Sequence, residues 1–368
     1  VRPIAIAAGG TGGHFFPAEA LAAELLARGH RVVLLTDARS GGLASGTFAA
    51  CEKFVLYGAG IAGRGVLRAA SAAVSLTAGA VQARMILSRL DAAVLVGFGG
   101  YPSVAPVLAT RLLQRRPCVL LHEQNAVLGR ANRVLSRLAH TLALSFSATS
   151  SIPPDVRTEL TGNPVRPGIS AIAGAPYPPP GEETKLLVLG GSLGARVFSE
   201  IVPSALASLA APLRARLRVT QQCRAADLDL VRASYAASGI EAELAPFFAD
   251  VPALLASASL VISRAGASTV AELAAVGRPS VLVPLPIAID DHQTANARAL
   301  EQAGGAWLVP QPAFTAATLA ERLSKLLEQP AQLADAAARA ASLGRADAAA
   351  RLADLVERAT ANAGEHAA

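Results

Sequence analysis

The sequence predicts an α/β protein built from two doubly wound, Rossmann-like domains that face each other across a cleft. Two observations carry the fold class and a third carries the domain count. Short apolar runs alternate with helix-length segments, as in βαβ units. The runs are continuously apolar rather than alternating, as strands of a parallel sheet covered on both faces must be. The alternation then starts afresh after a Pro/Gly-rich stretch, TGNPVRPG at 161–168 followed by APYPPPGEE at 175–183.

In the first series the strand candidates are 4–8, 31–35, 92–96, 118–121 and 141–144. In the second they are 186–189, 218–220, 260–262 and 281–283. Helical segments at 17–27, 103–113 and 268–276 separate some of them. The expected domains are 1–163 and 164–344, with a hinge near 164 and an Ala-rich helical tail at 345–368 that packs back on the first domain. A length of 368 residues fits about two domains, and 52% apolar content supplies the cores.

The net charge of +6 and a pI near 9.7 favour anionic partners. Arginine carries most of it, since Lys53, Lys185 and Lys325 are the only lysines. Its planar fork suits phosphate. Aromatics at 4% and the absence of a recognition motif argue against nucleic acid. Cys51, Cys118 and Cys223 are far apart, which excludes a disulfide framework or a zinc site and fits a reducing compartment. No signal peptide is expected, and no run approaches the ~20 apolar residues of a membrane span. The small, apolar stretch 61–87, with Arg64, Arg68 and Arg84, has the composition of a surface that lies on anionic lipid, or of a buried helix plus a loop.

The chemistry sits in the turns after the strands. GGTGGH at 9–14 is a Gly-rich turn between a strand and a helix, the usual anion cradle. It is neither the dinucleotide fingerprint, because Phe15 replaces the third glycine, nor a phosphate loop of the lysine type. His14 ends it, and an imidazole there can take a proton from a hydroxyl. GFGGYPS at 97–103 repeats the design. HEQN at 122–125 puts four polar residues at a strand end. In the second series GGSLGA at 190–195 and SRAGASTVAE at 263–272 read as strand, loop and helix start. Thr269 and Glu272 have capping-box spacing; alternatively Glu272 accepts from a ribose diol. Asp290, Asp291, His292, Gln293 and Asn296 crowd a further sheet edge, with groups able to read sugar hydroxyls or to cap a helix.

Taken together and in order, these motifs, with TGNPVR at 161–166 and DHQTAN at 291–296, resemble the MurG family of bacterial peptidoglycan N-acetylglucosaminyltransferases. The resemblance spans nearly the whole chain. It implies a GT-B glycosyltransferase fold and transfer of N-acetylglucosamine from UDP-GlcNAc to the 4-hydroxyl of N-acetylmuramic acid in undecaprenyl-diphosphate-linked lipid I, with inversion, giving lipid II. It implies no required cofactor or metal. It also implies a peripheral position at the cytoplasmic face of the inner membrane, on an anionic surface, with other cell-wall synthesis proteins as partners.

By the same resemblance, His14 is the candidate base, with the carboxylate Glu123 as the alternative to it. Donor contacts fall to Thr11, Gly12, Asn125, Arg166, Ser192, Phe248, Ser268, Thr269, Glu272, His292 and Gln293. Within that set Glu272 holds the ribose, Phe248 meets the uracil, and Asn125, His292 and Gln293 read the sugar. Gly10, Gly13, Gly99, Gly100 and Tyr101 receive the acceptor diphosphate. Leu193 and His292 stand where many members carry Gln. Three other readings share parts of the pattern: a UDP-sugar transferase with another acceptor, a UDP-N-acetylglucosamine 2-epimerase, and a non-catalytic nucleotide- or lipid-binding scaffold.

Overall fold

The structure is a computed structural model and describes residues 2–10, 12–38, 46–57, 66–191 and 195–365, with side chains of 66–73 and 362–365 left aside. The chain divides into two compact units, the first made of Val1–Arg166 and Asp347–Ala368, the second of Pro167–Ala346.

Unit 1 holds a sheet of seven strands: β1 (Ile4–Ala7), β2 (Val32–Thr36), β3 (Glu52–Val55), β4 (Val94–Gly97), β5 (Cys118–Glu123), β6 (Thr141–Leu144) and β7 (Thr158–Leu160). Their order is β3-β2-β1-β4-β5-β6-β7, and every pairing is parallel. Unit 2 holds six: β8 (Thr184–Leu189), β9 (Leu217–Gln222), β10 (Glu241–Ala245), β11 (Leu260–Ser263), β12 (Ser280–Leu282) and β13 (Ala306–Leu308). Their order is β10-β9-β8-β11-β12-β13, again all parallel. Both orders reverse direction once, beside the first strand of the sheet. That reversal opens a crevice at the strands' carboxyl ends.

The continuous apolar runs have the expected cause. In β1, Ile4 and Ile6 pack into one core and Ala5 and Ala7 into another on the opposite face, following the two-residue period of a strand. The helix Ala348–Glu365 supplies Leu352, Ala353, Leu355 and Val356 to the first of these cores. Arg28 binds its Asp354 and Glu357, and His30 its Glu357. The preceding helix, Pro330–Leu343, belongs to unit 2, and the tail helix Ala348–Glu365 to unit 1.

Unit 2 is braced by Arg278, which is fully buried. Its guanidinium donates to the carbonyls of Leu255, Ala256, Val276, Gly277 and Pro176. A charge is tolerated there because five backbone acceptors replace its water.

Candidate functional site

In unit 1 the two glycine turns leave neighbouring strands at the same level, because Ala7 of β1 pairs with Gly97 of β4. Gly10 has φ of 83°, and Gly99 and Gly100 have φ of 80° and 64°, the left-handed region open to glycine. The turns are tied together: Ser103 Oγ donates to Ala7 O and to Gly99 O. A Cβ at Gly10 would touch the Tyr101 ring at 3.7 Å. Tyr101 opens a short 3-10 turn, Tyr101–Ser103.

The first turn is shorter than the sequence suggests. The helix begins at Gly12, before Pro17, and runs Gly12–Ala27, so Gly12, Gly13 and His14 lie in its first turn. His14 rests on the second turn, since a Cβ at Gly100 would lie 3.4 Å from His14 Cδ2 and 3.6 Å from Nε2. Thr11 lies outside the described residues.

β5 delivers the polar run. His122 and Glu123 are both buried and, as neighbours on a strand, point to opposite faces. His122 sits against Phe98, ring centroids 5.2 Å apart. Its Nε2 is 2.9 Å from Gly162 O, and its Nδ1 is 2.9 Å from Gln124 Nε2. Gln124 Oε1 is 2.7 Å from His14 Nδ1. Burial, with a smaller contribution from nearby His14, pushes the His122 imidazole down to about 4 against the pull of the Gly162 hydrogen bond.

Glu123 is engaged elsewhere. One carboxylate oxygen accepts from the Asn125 backbone N–H and its Nδ2, the other from the Gly129 N–H and Asn132 Nδ2. Asn132 also donates to His122 O and lies under Gly99. The carboxylate thus holds the 125–132 segment in place, and Asn125 is bound to it. Arg166 falls in unit 1, where its guanidinium carbon lies 5.8 Å from the centre of the Phe16 ring.

Unit 2 repeats the plan. Leu189 of β8 pairs with Ser263 of β11, so the loops that follow start side by side. Gly190 N donates to Gln222 Oε1, and Gly191 has φ of 83°. Ser192 and Leu193 lie outside the described residues. After β11 the helix Ala267–Val276 starts at Gly266, which caps it without a side-chain bond. The capping-box reading of Thr269 and Glu272 is therefore corrected: both lie inside the helix. A cap must precede the first turn, and Gly266 holds that place.

Ser268 Oγ is buried with no hydrogen-bond partner. The first-turn N–H groups of such a helix have no acceptor within it and carry its positive end. Glu272 is buried one turn on. Arg264 donates to Val283 O, Pro284 O and Gln311 Oε1, which holds the turn after β12. Gln293 Oε1 accepts from Leu285 N, and Asn296 Nδ2 donates to Ala265 O, joining the second loop to the third. His292 Nδ1 donates to Ile289 O. Asp290 and Asp291, just before, both have left-handed φ of 53° and 51°. Phe248 lies half-buried between β10 and the helix Val251–Ser257.

Each unit thus gathers its own set, His14 with two glycine turns in unit 1 and Ser268, Thr269, Glu272 and Gln293 in unit 2. Gln124, Asn132, Ser103 and the Gly162 carbonyl are supports that no motif role marks in the sequence. The HEQN run alone hints at the first of them.

Residues 4–144 match the glycosyltransferase family 28 N-terminal domain and residues 185–352 the family 28 C-terminal domain. A protein of Granulibacter bethesdensis is 64% identical over 358 residues, covering 97% of this chain and 93% of its own. One of Gluconobacter oxydans is 55% identical over 360 residues, covering 97% of this chain and 99% of its own. Both are named UDP-N-acetylglucosamine–N-acetylmuramyl-(pentapeptide) pyrophosphoryl-undecaprenol N-acetylglucosamine transferase. The crystal structure of Acinetobacter baumannii MurG superposes with a TM-score of 0.79 at 31% identity, covering 97% of this chain and 100% of that one. With both domain models matched and likeness running through nearly its whole length, the chain belongs to glycosyltransferase family 28, and within it to the MurG transferases.

Proposed function

We propose that this chain moves N-acetylglucosamine from UDP-GlcNAc to the 4-hydroxyl of the N-acetylmuramyl group of undecaprenyl-diphosphate-linked lipid I, forming lipid II for peptidoglycan synthesis. The chain is a UDP-GlcNAc-dependent hexosyltransferase. One observation carries the reading: relatives with this named activity match it at more than half identity over 97% of its length.

The chemistry follows from the residues. The acceptor hydroxyl attacks the anomeric carbon as the bond to the UDP oxygen breaks, which inverts that centre. His14 takes the hydroxyl proton, and two glycine turns beside it suit the acceptor's diphosphate. Glu123, saturated by four donors, keeps a positioning role. Negative charge develops on the leaving UDP. The start of the helix Ala267–Val276, with Ser268 and Thr269, answers it electrostatically, and Arg166 adds charge on the α-phosphate side. Glu272 accepts from the ribose diol, Phe248 lies against the uracil, and Asn125, His292 and Gln293 read the sugar. Thr11, Gly12 and Ser192 complete the donor contacts, and no metal or other cofactor is required.

The acceptor's lipid implies docking at the cytoplasmic face of the inner membrane. Among the described residues no helix is long and apolar enough to cross a membrane. The helix Val66–Leu90 exposes Val74, Val81 and Met85 at spacings that share one face, near exposed Leu112. Arg84 donates to Leu112 O and places a cation at that face. Arg64 and the Arg68 side chain lie outside the described residues. Met85→Asp should weaken binding to anionic vesicles, and unchanged binding would remove this face from the reading.

The decisive experiment is UDP release from UDP-GlcNAc with and without a soluble lipid I analogue. Release that requires the analogue, with a disaccharide product, is expected. Release without it would point to an epimerase or hydrolase, and donor binding without turnover to another acceptor or a scaffold.

A further inference from the structure

A proton count along one chain of hydrogen bonds decides which nitrogen of His14 is basic. A carbonyl oxygen only accepts, so His122 Nε2, at 2.9 Å from Gly162 O, carries its proton. His122 is fully buried and, pushed down to about 4, is neutral near pH 7. Its Nδ1 therefore has a bare lone pair and needs a donor, which Gln124 Nε2 supplies at 2.9 Å. The same Nε2 also donates to His122 O at 3.1 Å, so both amide hydrogens are in use. That leaves the amide oxygen facing His14 Nδ1 at 2.7 Å, where it too only accepts. The proton of neutral His14 is then on Nδ1, and the lone pair is on Nε2, the nitrogen beside Gly100.

We infer that Gln124 is a positioning residue that, read through His122 from the Gly162 carbonyl, locks His14 in the tautomer whose Nε2 accepts the substrate proton. The inference rests on His14 being the base. The amide cannot rotate freely to release the lock, because Gln124 is almost fully buried and a flip would set its oxygen against the bare Nδ1 of His122. The buried network thus converts a fixed backbone carbonyl into a choice of proton position two side chains away. A serine hydrolase uses an aspartate for the equivalent choice, and there the wrong tautomer is costly.

The test uses the intact chain labelled with ¹⁵N-histidine. A long-range ¹H–¹⁵N spectrum near neutral pH separates proton-bearing from bare ring nitrogens, and six histidines are few enough to assign. His14→Ala identifies the His14 signals. We expect His14 with Nδ1 protonated and Nε2 bare, and His122 with Nε2 protonated and Nδ1 bare. Wild-type His14 carrying its proton on Nε2 would overturn the inference without any variant. Gln124→Leu should mix the His14 tautomers and lower kcat by about 10²-fold or more, with KM for the donor unchanged. If that variant keeps both the tautomer and kcat, the lock is refuted, even where His14→Ala is inactive. If His14→Ala instead turns over normally, the base assignment falls, while the wild-type spectrum still decides the hydrogen-bond chain.

Discussion

Acidification from pH 7 to pH 5 will destabilise unit 1 through one imidazole, His122. In the folded chain it titrates near 4, and in the unfolded chain near its ordinary 6.5. The folded value is the lower one, so between these limits the unfolded state binds the extra proton. Stability is therefore complete above about 6.5 and is lost as the pH falls toward about 4. Crossing the whole window corresponds to about 3.4 kcal/mol, and going from pH 7 to pH 5 to about 2 kcal/mol. That is a large share of the ~5–15 kcal/mol that holds a domain.

The assay is urea unfolding followed by circular dichroism at both pH values. Trp307, the only tryptophan, lies in unit 2 and serves as an internal reference by fluorescence. His122→Gln keeps an N–H for Gly162 O but cannot titrate, so it subtracts the carboxylates common to both proteins. The stability gap between wild type and His122→Gln should shift by about 2 kcal/mol against the wild type between pH 7 and pH 5. A gap that stays flat would refute the buried, neutral imidazole and with it the proton count through Gln124.

Four further outcomes follow from the same geometry. Gly100→Ala forces a side chain into a φ of 64° and against His14, so it should cost about 1–2 kcal/mol of stability and lower kcat more than it raises KM for the donor. Glu272→Gln removes a charged acceptor and should weaken UDP-GlcNAc binding about 10-fold or more, read by calorimetry, with the fold intact by circular dichroism. Arg278→Met strands buried carbonyls and should lower the stability of unit 2 by at least about 3 kcal/mol, seen as an early Trp307 transition in urea. Chelation by EDTA should leave the transferase rate unchanged; a loss restored by a divalent cation would overturn the assignment of UDP's charge to protein groups.

The sequence by itself determined the fold class and nine of the thirteen strands. Those nine are the interior strands; eight of them write an apolar run because both faces are covered, while β9, with half-buried Arg218 and Thr220, shows only a short one. The four it leaves unmarked are β3, β7, β10 and β13, the edges of the two sheets. In β3 and β10, Glu52, Lys53, Glu241 and Glu243 show why: an edge strand is half solvated, and its polar residues hide it among loops, whereas β13, Ala306–Leu308, is apolar but only three residues long. The glycine turns, His14 and Glu272 were legible because positive φ, a strand-end location and a titratable group are each written locally. Tertiary structure alone decided that the helix carrying His14 starts at Gly12, that Glu123 is spent on Asn125, Gly129 and Asn132, and that Gln124 joins His14 to His122. Those contacts join residues as far apart as 110 positions. Pairing at that distance depends on which strands lie side by side and which face each residue takes, and local composition records neither.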